Sequence, residues 1–291
     1  YFQYYNLLLG FEYENVITYL YKDTLDINRS GYYYREYIAD EANTGLLLFF
    51  RVIFKVGTPG ASDIKSFHYD QNWLDKLNSY DIIIDGITKN VNITYDNQGN
   101  PLTITNFKYN GLYYDTAYLD WEGRQLRKLE LTDNLYDFVT IKYLYNDQGY
   151  RINKTIIEGL NEQSIDYLLS NGKVLYETDG TYLIIFTYDY DGSLISFNYD
   201  NNINDSINGK DYFYIKNLQG DVVVIVNNIC QVVVEYRYDA WGNIIYATDH
   251  EIAKINSYTY RGYRYDVETS LYYLNSRYYN PEIGRYINAK D

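Results

Sequence analysis

Apolar and polar positions alternate along long stretches of the chain. Tyr182, Ile184, Phe186 and Tyr188 fall on one side of a period-two pattern, and Val232, Val234, Tyr236 and Tyr238 do so again. Such alternation predicts antiparallel β-strands with one buried face. Helical spacing is scarce, and its best instance, Asn72 to Leu77 in NWLDKL, predicts a helix of one or two turns. The expected fold class is all-β.

A recurring turn punctuates the strands. Tyr95-Asp96 is followed by Gly99 in YDNQGN, Tyr145-Asn146 by Gly149 in YNDQGY, Tyr188-Asp189 by Gly192 in YDYDGS, and Tyr238-Asp239 by Gly242 in YDAWGN. Looser copies carry Gly123 in DWEGRQL, Gly172 in LSNGKVL and Gly220 in NLQGDVV. From Gly99 to Gly242 the six intervals average about 24 residues, the length of a two-stranded repeat unit. Each residue type has a mechanical task in such a unit. Tyr ends a strand on a half-buried face, Asp or Asn folds back onto the backbone as an Asx-turn, and Gly takes the positive φ that closes the turn.

Composition narrows the function classes. The chain carries 25 basic and 39 acidic side chains, a net charge of -14, which disfavours a nucleic-acid partner because phosphate binding is built from Lys and Arg. The lone Cys230 excludes an intrachain disulfide, and His68 and His250 form no Cys/His cluster, so neither a metal nor a cofactor is expected. The apolar run Leu46 to Phe50 is broken by Arg51 and Lys55, far short of the roughly 20 residues that span a bilayer. The sequence opens at Tyr1 and contains no methionine, which reads as part of a larger polypeptide.

The Tyr-Asp-x-x-Gly repeats resemble the YD repeats of bacterial Rhs proteins. The segments Tyr212 to Ile245 and Tyr260 to Ala289, the latter ending in SRYYNPEIGRY, resemble the Rhs repeat-associated core that precedes a variable C-terminal toxin. WLDKLNSYD, ITYDNQGNPLTI and WEGRQLRKL are similar to wall-associated proteins of Gram-positive bacteria. The resemblance spans roughly residues 66–289. It implies a sheet of hairpins forming part of a spiral β-shell, closed by the core segment, with a C-terminal effector inside. It also implies an immunity protein as partner and a secreted or cell-surface location. The division expected is an irregular N-terminal β segment at 1–65, a YD-repeat shell at 66–209 and a core plug at 210–291, with Thr58-Pro59-Gly60 near the first boundary and tyrosine clusters at Tyr4-Tyr5 and Tyr32 to Tyr34. Teneurins, animal adhesion receptors, also carry a YD-repeat shell, and Asn28, Asn92, Asn153 and Asn204 head glycosylation triplets.

Rhs proteins and toxin-complex C components cut themselves after the core with an aspartyl-protease-like site. Gly284-Arg285-Tyr286 matches the motif preceding that site; the family's Asp then falls at Lys290, with Asp291 one position late. Asp291, with Arg285 as partner, is the candidate the resemblance supplies. Aspartyl chemistry needs two carboxyl groups sharing a proton, and no second one follows, so the chain is expected not to be an enzyme. Arg277, Tyr278, Tyr279, Asn280, Pro281, Gly284, Arg285 and Tyr286 form the core motif, in which Arg277 and Arg285 are expected to lock the plug to the wall. Cys230 reads as a small buried side chain, His68 and His250 as ordinary strand or loop residues, and the Asp-rich turn at Asp189 as an Asx-turn rather than a calcium loop. The tyrosines raise a second function, a surface adhesion module holding a cell-surface glycan.

Overall fold

The computed structural model describes residues 16–23, 31–41, 46–56, 66–84, 87–132, 138–203 and 209–289, with side chains from residue 66 onward. The chain divides into two compact units between Ile64 and Lys65. The first is a three-stranded antiparallel sheet of β1 (Val16–Asp23), β2 (Gly31–Glu41) and β3 (Leu46–Val56), in which β2 and β3 pair from Gly31↔Val56 to Glu41↔Leu46. Tyr32 to Tyr34 lie on β2, while Tyr4-Tyr5 and Thr58-Pro59-Gly60 lie outside the described residues.

The second unit is built on a 16-stranded sheet in which each strand pairs with its neighbours in sequence, with no crossover. Its strands are β4 (Phe67–Tyr69), β5 (Leu77–Ile84), β6 (Ile87–Tyr95), β7 (Pro101–Tyr109), β8 (Leu112–Glu122), β9 (Gln125–Thr132), β10 (Phe138–Tyr145) and β11 (Arg151–Glu158). They continue as β12 (Asn161–Ser170), β13 (Lys173–Thr178), β14 (Leu183–Tyr188), β15 (Leu194–Asp200), β16 (Lys210–Lys216), β17 (Val222–Asn227), β18 (Val232–Tyr238) and β19 (Ile244–Ala247). The sheet crosses position 210 without a break, since β15 pairs with β16; the architecture changes only after Ala247. There follow a short helix α1 (Glu251–Ile255), a 3-10 turn at Tyr260–Gly262 and a four-stranded sheet of β20 (Arg264–Asp266), β21 (Leu271–Leu274), β22 (Arg277–Asn280) and β23 (Arg285–Tyr286). This segment is the plug.

In an antiparallel meander alternate turns lie at the same end. Gly99, Gly123, Gly149, Gly172, Gly192, Gly220 and Gly242 sit in the turns after β6, β8, β10, β12, β14, β16 and β18, so all seven gather at one end of the wall. The repeat spacing therefore measures one strand out and one strand back. Five of these turns share one construction. The Asx side chains of Asp96, Asn146, Asp189, Asn217 and Asp239 accept the backbone N–H four residues on, at 2.6–3.0 Å. The glycine N–H then donates to the Asx carbonyl, with φ between 80° and 92°.

The motif tyrosine explains the repeated entry into these turns. At Tyr95, Tyr145, Tyr188 and Tyr238 the register with the following strand slips, a bulge that re-aims the side chain. Each hydroxyl then donates to a carbonyl at the start of the preceding strand: Leu77, Leu126, Val174 and Val222, at 2.8, 2.9, 2.8 and 2.6 Å. One side chain thus ties three neighbouring strands together where the ladder is interrupted.

Alternation places one face of the wall in the core, as with Val139, Ile141 and Tyr143 on β10 and Ile184 and Phe186 on β14. The plug fills that side. Leu271, Tyr273, Tyr278 and Ile287 pack with β5 to β10, and Ile252 of α1 packs with β12 to β18. Laid flat, sixteen strands at about 4.8 Å spacing would reach about 70 Å. Yet both margins touch the β22–β23 hairpin: Arg285 donates to the carbonyl of Asp75 between β4 and β5, while Tyr279 and Asn243 join that hairpin to the β18–β19 turn. The wall curls around the plug, as the right-handed twist of its strands permits.

Two local expectations are corrected. Asn72 to Leu77 is not a helix: Asp70 Oδ1 accepts the N–H groups of Asn72 and Trp73, the backbone closes between Asp70 and Lys76, and Leu77 already begins β5. The Lys76 N–H donates to the Trp73 carbonyl three residues back, and a segment this short does not offset the cost of nucleating a helix. The helix instead forms at Glu251–Ile255, where the His250 ring nitrogen Nδ1 accepts the N–H of Ile252. Cys230 is exposed, not buried. It occupies the position that glycine holds elsewhere, at φ 60° and donating to Asn227, in an Asx-turn at the opposite end of the wall. His68, a strand residue as expected, lies 3.4 Å from Asp81.

Gly242 and Gly111 separate two costs of the positive-φ position. Both have φ of 80° or more, but a Cβ on Gly242 would lie 2.5 Å from the Tyr260 ring, whereas nothing lies within 4 Å at Gly111. Gly111→Ala should cost about 1–2 kcal/mol from backbone strain alone, and Gly242→Ala about 1–3 kcal/mol more from overpacking. Urea denaturation of the two variants checks this, and equal midpoints would refute it.

Candidate functional site

The junction of wall and plug holds a cluster of six buried charges. From the wall come Arg151 and Lys154 on β11 and Glu177 on β13; from the plug come Arg264 and Asp266 on β20, with Glu268 just after it. Arg151 donates from Nη1 and Nη2 to the two oxygens of Asp266, at 2.7 and 2.8 Å, a bidentate pair with both side chains 1% exposed. Lys154 Nζ lies 2.7 Å from Glu268 and 3.5 Å from Asp266. Arg264 Nη2 donates to Glu177 and to the Ser257 hydroxyl.

Aromatic rings complete the enclosure. The Arg151 guanidinium lies 4.3 Å from the Tyr273 ring and 5.2 Å from that of Tyr143, and Arg264 lies 4.3 Å from Tyr167. Stacked guanidinium groups keep cation–π attraction where water is excluded. Burial alone would raise the Asp266 carboxyl, but Arg151 and Lys154 outweigh it and hold it well below the usual carboxylate range. Burial likewise pushes the Lys154 ammonium down, and Glu268 and Asp266 overcome that and hold it above its ordinary value. Every carboxylate of this cluster accepts from a cation.

Sequence reasoning passed over these residues. Their signal was phase: Arg264 and Asp266 flank Tyr265 at a spacing of two, so both point to one face of β20, and Arg151 opens a strand directly after a motif turn. Charges in phase with a buried face require partners, but nothing local says which.

The motif residues of the plug lie along its second hairpin. Arg277 stacks 3.7 Å from the Tyr286 ring, and Arg285 lies 5.3 Å from the ring of Tyr69. The Tyr278 hydroxyl meets that of Tyr145 at 3.1 Å, joining the plug motif to the repeat motif. The Tyr279 hydroxyl donates to Trp241, Asn280 Oδ1 accepts from the N–H of Glu282, and the Pro281 carbonyl accepts from Asn243. Gly284 closes the turn at φ 66°, its Cβ position 3.1 Å from the Trp241 ring. Arg124 donates to the Ala289 carbonyl at 2.7 Å. Lys290 and Asp291 lie outside the described residues.

Known proteins place this arrangement. The family model described as Teneurin YD-shell matches residues 174–291. The chain is 34% identical over 198 residues to the tRNA3(Ser)-specific nuclease WapA of Bacillus spizizenii, and 33% identical over 198 residues to the tRNA nuclease WapA of Bacillus subtilis. In both cases the match covers 67% of this chain and 8% of the relative, so the chain spans about a twelfth of those proteins' length. A Photorhabdus luminescens Tc holotoxin pore structure shares the fold at 16% identity and a TM-score of 0.50, over 95% of this chain and 17% of that one.

Arg151→Met should destabilise the protein by about 3–5 kcal/mol, because Asp266 then loses its bidentate partner inside the structure; adding Asp266→Leu should recover much of that loss. A group whose folded pKa is depressed stabilises fully above its unfolded value, about 3.9 for Asp. The advantage of the wild type over Asp266→Asn should thus stay flat from about pH 7 to about pH 5 and shrink below about pH 4. Urea unfolding of both proteins across that range tests it, and a gap that already narrows between pH 7 and pH 5 would contradict the assignment.

Proposed function

The chain belongs to the Rhs-type YD-repeat family, and from that premise we propose that it is non-enzymatic wall and plug, enclosing and presenting an effector carried elsewhere in the same polypeptide. A toxin-shell, Rhs-related role is common ground with its relatives; enclosure, the effector and its immunity protein are the further step. The observation that supports the step most directly is the latch of Arg151, Lys154 and Glu177 onto Asp266, Glu268 and Arg264, which fixes the plug inside the curl of the wall. A binding surface has no need of so costly a buried junction, whereas a closure must hold against whatever lies behind it.

The nuclease named in the Bacillus relatives is assigned, in this reading, to parts of those proteins other than the segment they share with this chain. Passivity is favoured by the state of the carboxylates in the latch: each is held by a cation, whereas a proton-sharing acid pair needs two carboxyl groups facing each other. The tyrosines favour architecture over a glycan platform, because the ladder hydroxyls of Tyr95, Tyr145, Tyr188 and Tyr238 are committed to backbone carbonyls. A secreted or cell-surface location goes with this role; among the described residues no helix is long and apolar enough to cross a membrane.

The test is limited proteolysis of the longer polypeptide carrying this segment and the sequence downstream of it. The downstream part should resist protease with the latch intact and be cut rapidly in Asp266→Arg, which sets a second guanidinium against Arg151. Equal cutting in both proteins would sink enclosure. On the same polypeptide, intact mass over time should show one uncut chain; two fragments that vanish in Asp291→Ala would overturn the non-enzymatic reading.

A further inference from the structure

Two Asn-Gly steps in the wall share one chemistry and one backbone conformation. Asn110-Gly111 joins β7 to β8 inside the pair Tyr109↔Leu112, and Asn171-Gly172 joins β12 to β13 inside the pair Ser170↔Lys173. Both are two-residue hairpin loops with positive φ throughout, 47° and 80° in the first and 49° and 74° in the second. Their surroundings differ. A Cβ on Gly172 would lie 2.7 Å from the Tyr150 ring, so that ring packs directly on the turn, whereas nothing lies within 4 Å at Gly111. A third such step begins at Asn208, which lies outside the described residues.

Asparagine followed by glycine carries a reaction of its own. The glycine backbone nitrogen, after giving its proton to solvent, attacks the side-chain carbonyl carbon of asparagine. A C–N bond forms, the carboxamide C–N bond breaks, and ammonia leaves with a proton taken from water. Water then opens the resulting succinimide at either carbonyl, giving aspartate or isoaspartate, so that one water is consumed and one ammonia released. Glycine suits the step because no Cβ crowds the attacking nitrogen. In a folded chain the reaction needs an asparagine amide free to turn, a glycine N–H outside the hydrogen-bond ladder, and room for the peptide between the two residues to swing.

Asn110 meets all three. Its carboxamide makes no hydrogen bond among the described residues, and both Asn110 and Gly111 are exposed. The ladder closes at Tyr109 and Leu112, which leaves the Gly111 N–H outside it. The Asn110 N–H donates to the Glu268 carbonyl at 2.8 Å, but that bond holds the residue from its N-terminal side and leaves ψ free to rotate. At Asn171 the Tyr150 ring removes the room the peptide needs. Asn275-Ser276, another turn with a small second residue, fails on the nucleophile, because the Ser276 N–H is bound to the Leu274 carbonyl at 2.8 Å.

We propose that Asn110 is a site of spontaneous modification, deamidated through a succinimide to aspartate and isoaspartate while the protein is folded, which sets a new carboxylate at the seam of wall and plug. Asn110 lines a cavity of about 420 Å³ together with Glu158, Glu162 and Glu268, so the added charge enters among carboxylates already there. Isoaspartate also lengthens the backbone by one methylene at the residue whose N–H holds the plug through Glu268, itself the partner of Lys154. The turn is thereby a slow, irreversible means of loosening one corner of the latch. This concerns the chain's own residues and does not depend on enclosure of an effector.

Incubation of the full chain in warm neutral buffer, followed by peptide mapping with mass spectrometry, tests it; the same chain unfolded in urea gives the unprotected rate of each step. In the native protein Asn110 should convert at least about tenfold faster than Asn171, since only the second turn must first break its packing to open. Tyr150→Ala should bring Asn171 close to the rate of Asn110 and leave Asn110 unchanged. Equal native rates at the two steps, or an Asn110 that reacts only in urea, would overturn the site, and that comparison needs no variant. A folded Tyr150→Ala protein in which Asn171 stays slow would overturn the part given to the ring. The modified fraction, separated by anion exchange, should unfold at lower urea concentration than the unmodified one; identical midpoints would overturn the effect on the latch.

Discussion

Arg151 and Asp266 are 115 residues apart in sequence and form two parallel hydrogen bonds in the interior. Much of the second unit's architecture depends on that pairing. A wide meander has an apolar face and no intrinsic reason to stop curling at one radius; the face must be covered, and the covering must be registered against particular strands. Hydrophobic contact from Leu271, Tyr273 and Tyr278 covers without specifying position, because apolar side chains tolerate small slips. A buried ion pair does not tolerate them: displaced by a few ångströms, each charge is left without its partner. The price of desolvating six charges is thus offset by their mutual pairing and yields a plug with one seat.

The same cluster marks how far the sequence could be read. The repeat turns were legible because their physics is local. Asp239 accepts the Asn243 amide, and Gly242 takes a positive φ, within five residues of one another. The period was legible too, since a hairpin wall returns to the same end at a constant chain length. The Arg151–Asp266 pair was not, because its partners come from strands brought together only by the curl, and each residue alone reads as a surface charge. The resemblance to Rhs core motifs drew attention to Arg277 and Arg285, which stack on tyrosines at the margin of the plug, and away from Arg264, which lies at its centre.

Two segments were misread, and in each the turn that contains it decides the outcome. Asn72 to Leu77 has helical spacing, but the backbone closes between Asp70 and Lys76 and Leu77 already pairs with Tyr69, which leaves too few residues for a helix. Cys230 sits among apolar residues, yet an Asx-turn begun at Asn227 carries it to the exposed, left-handed position. In both, closure of a tight turn sets the backbone, and the character of the residues inside it is overruled.

The wall's lack of crossovers carries a consequence for how the chain acquires its structure. Each strand pairs with the one made just before it, so the sheet grows by short loop closures at small entropic cost. The plug is different in kind: it comes last in this segment, and its hairpin joins Asp75 to Arg285 across 210 residues. A chain emerging from the ribosome can therefore lay down its wall continuously, while the contacts that fasten the first strands to the last wait for the final forty residues or so. The latch is the long-range part of this fold, its partners 87 to 115 residues apart, whereas every pairing of the wall joins consecutive strands.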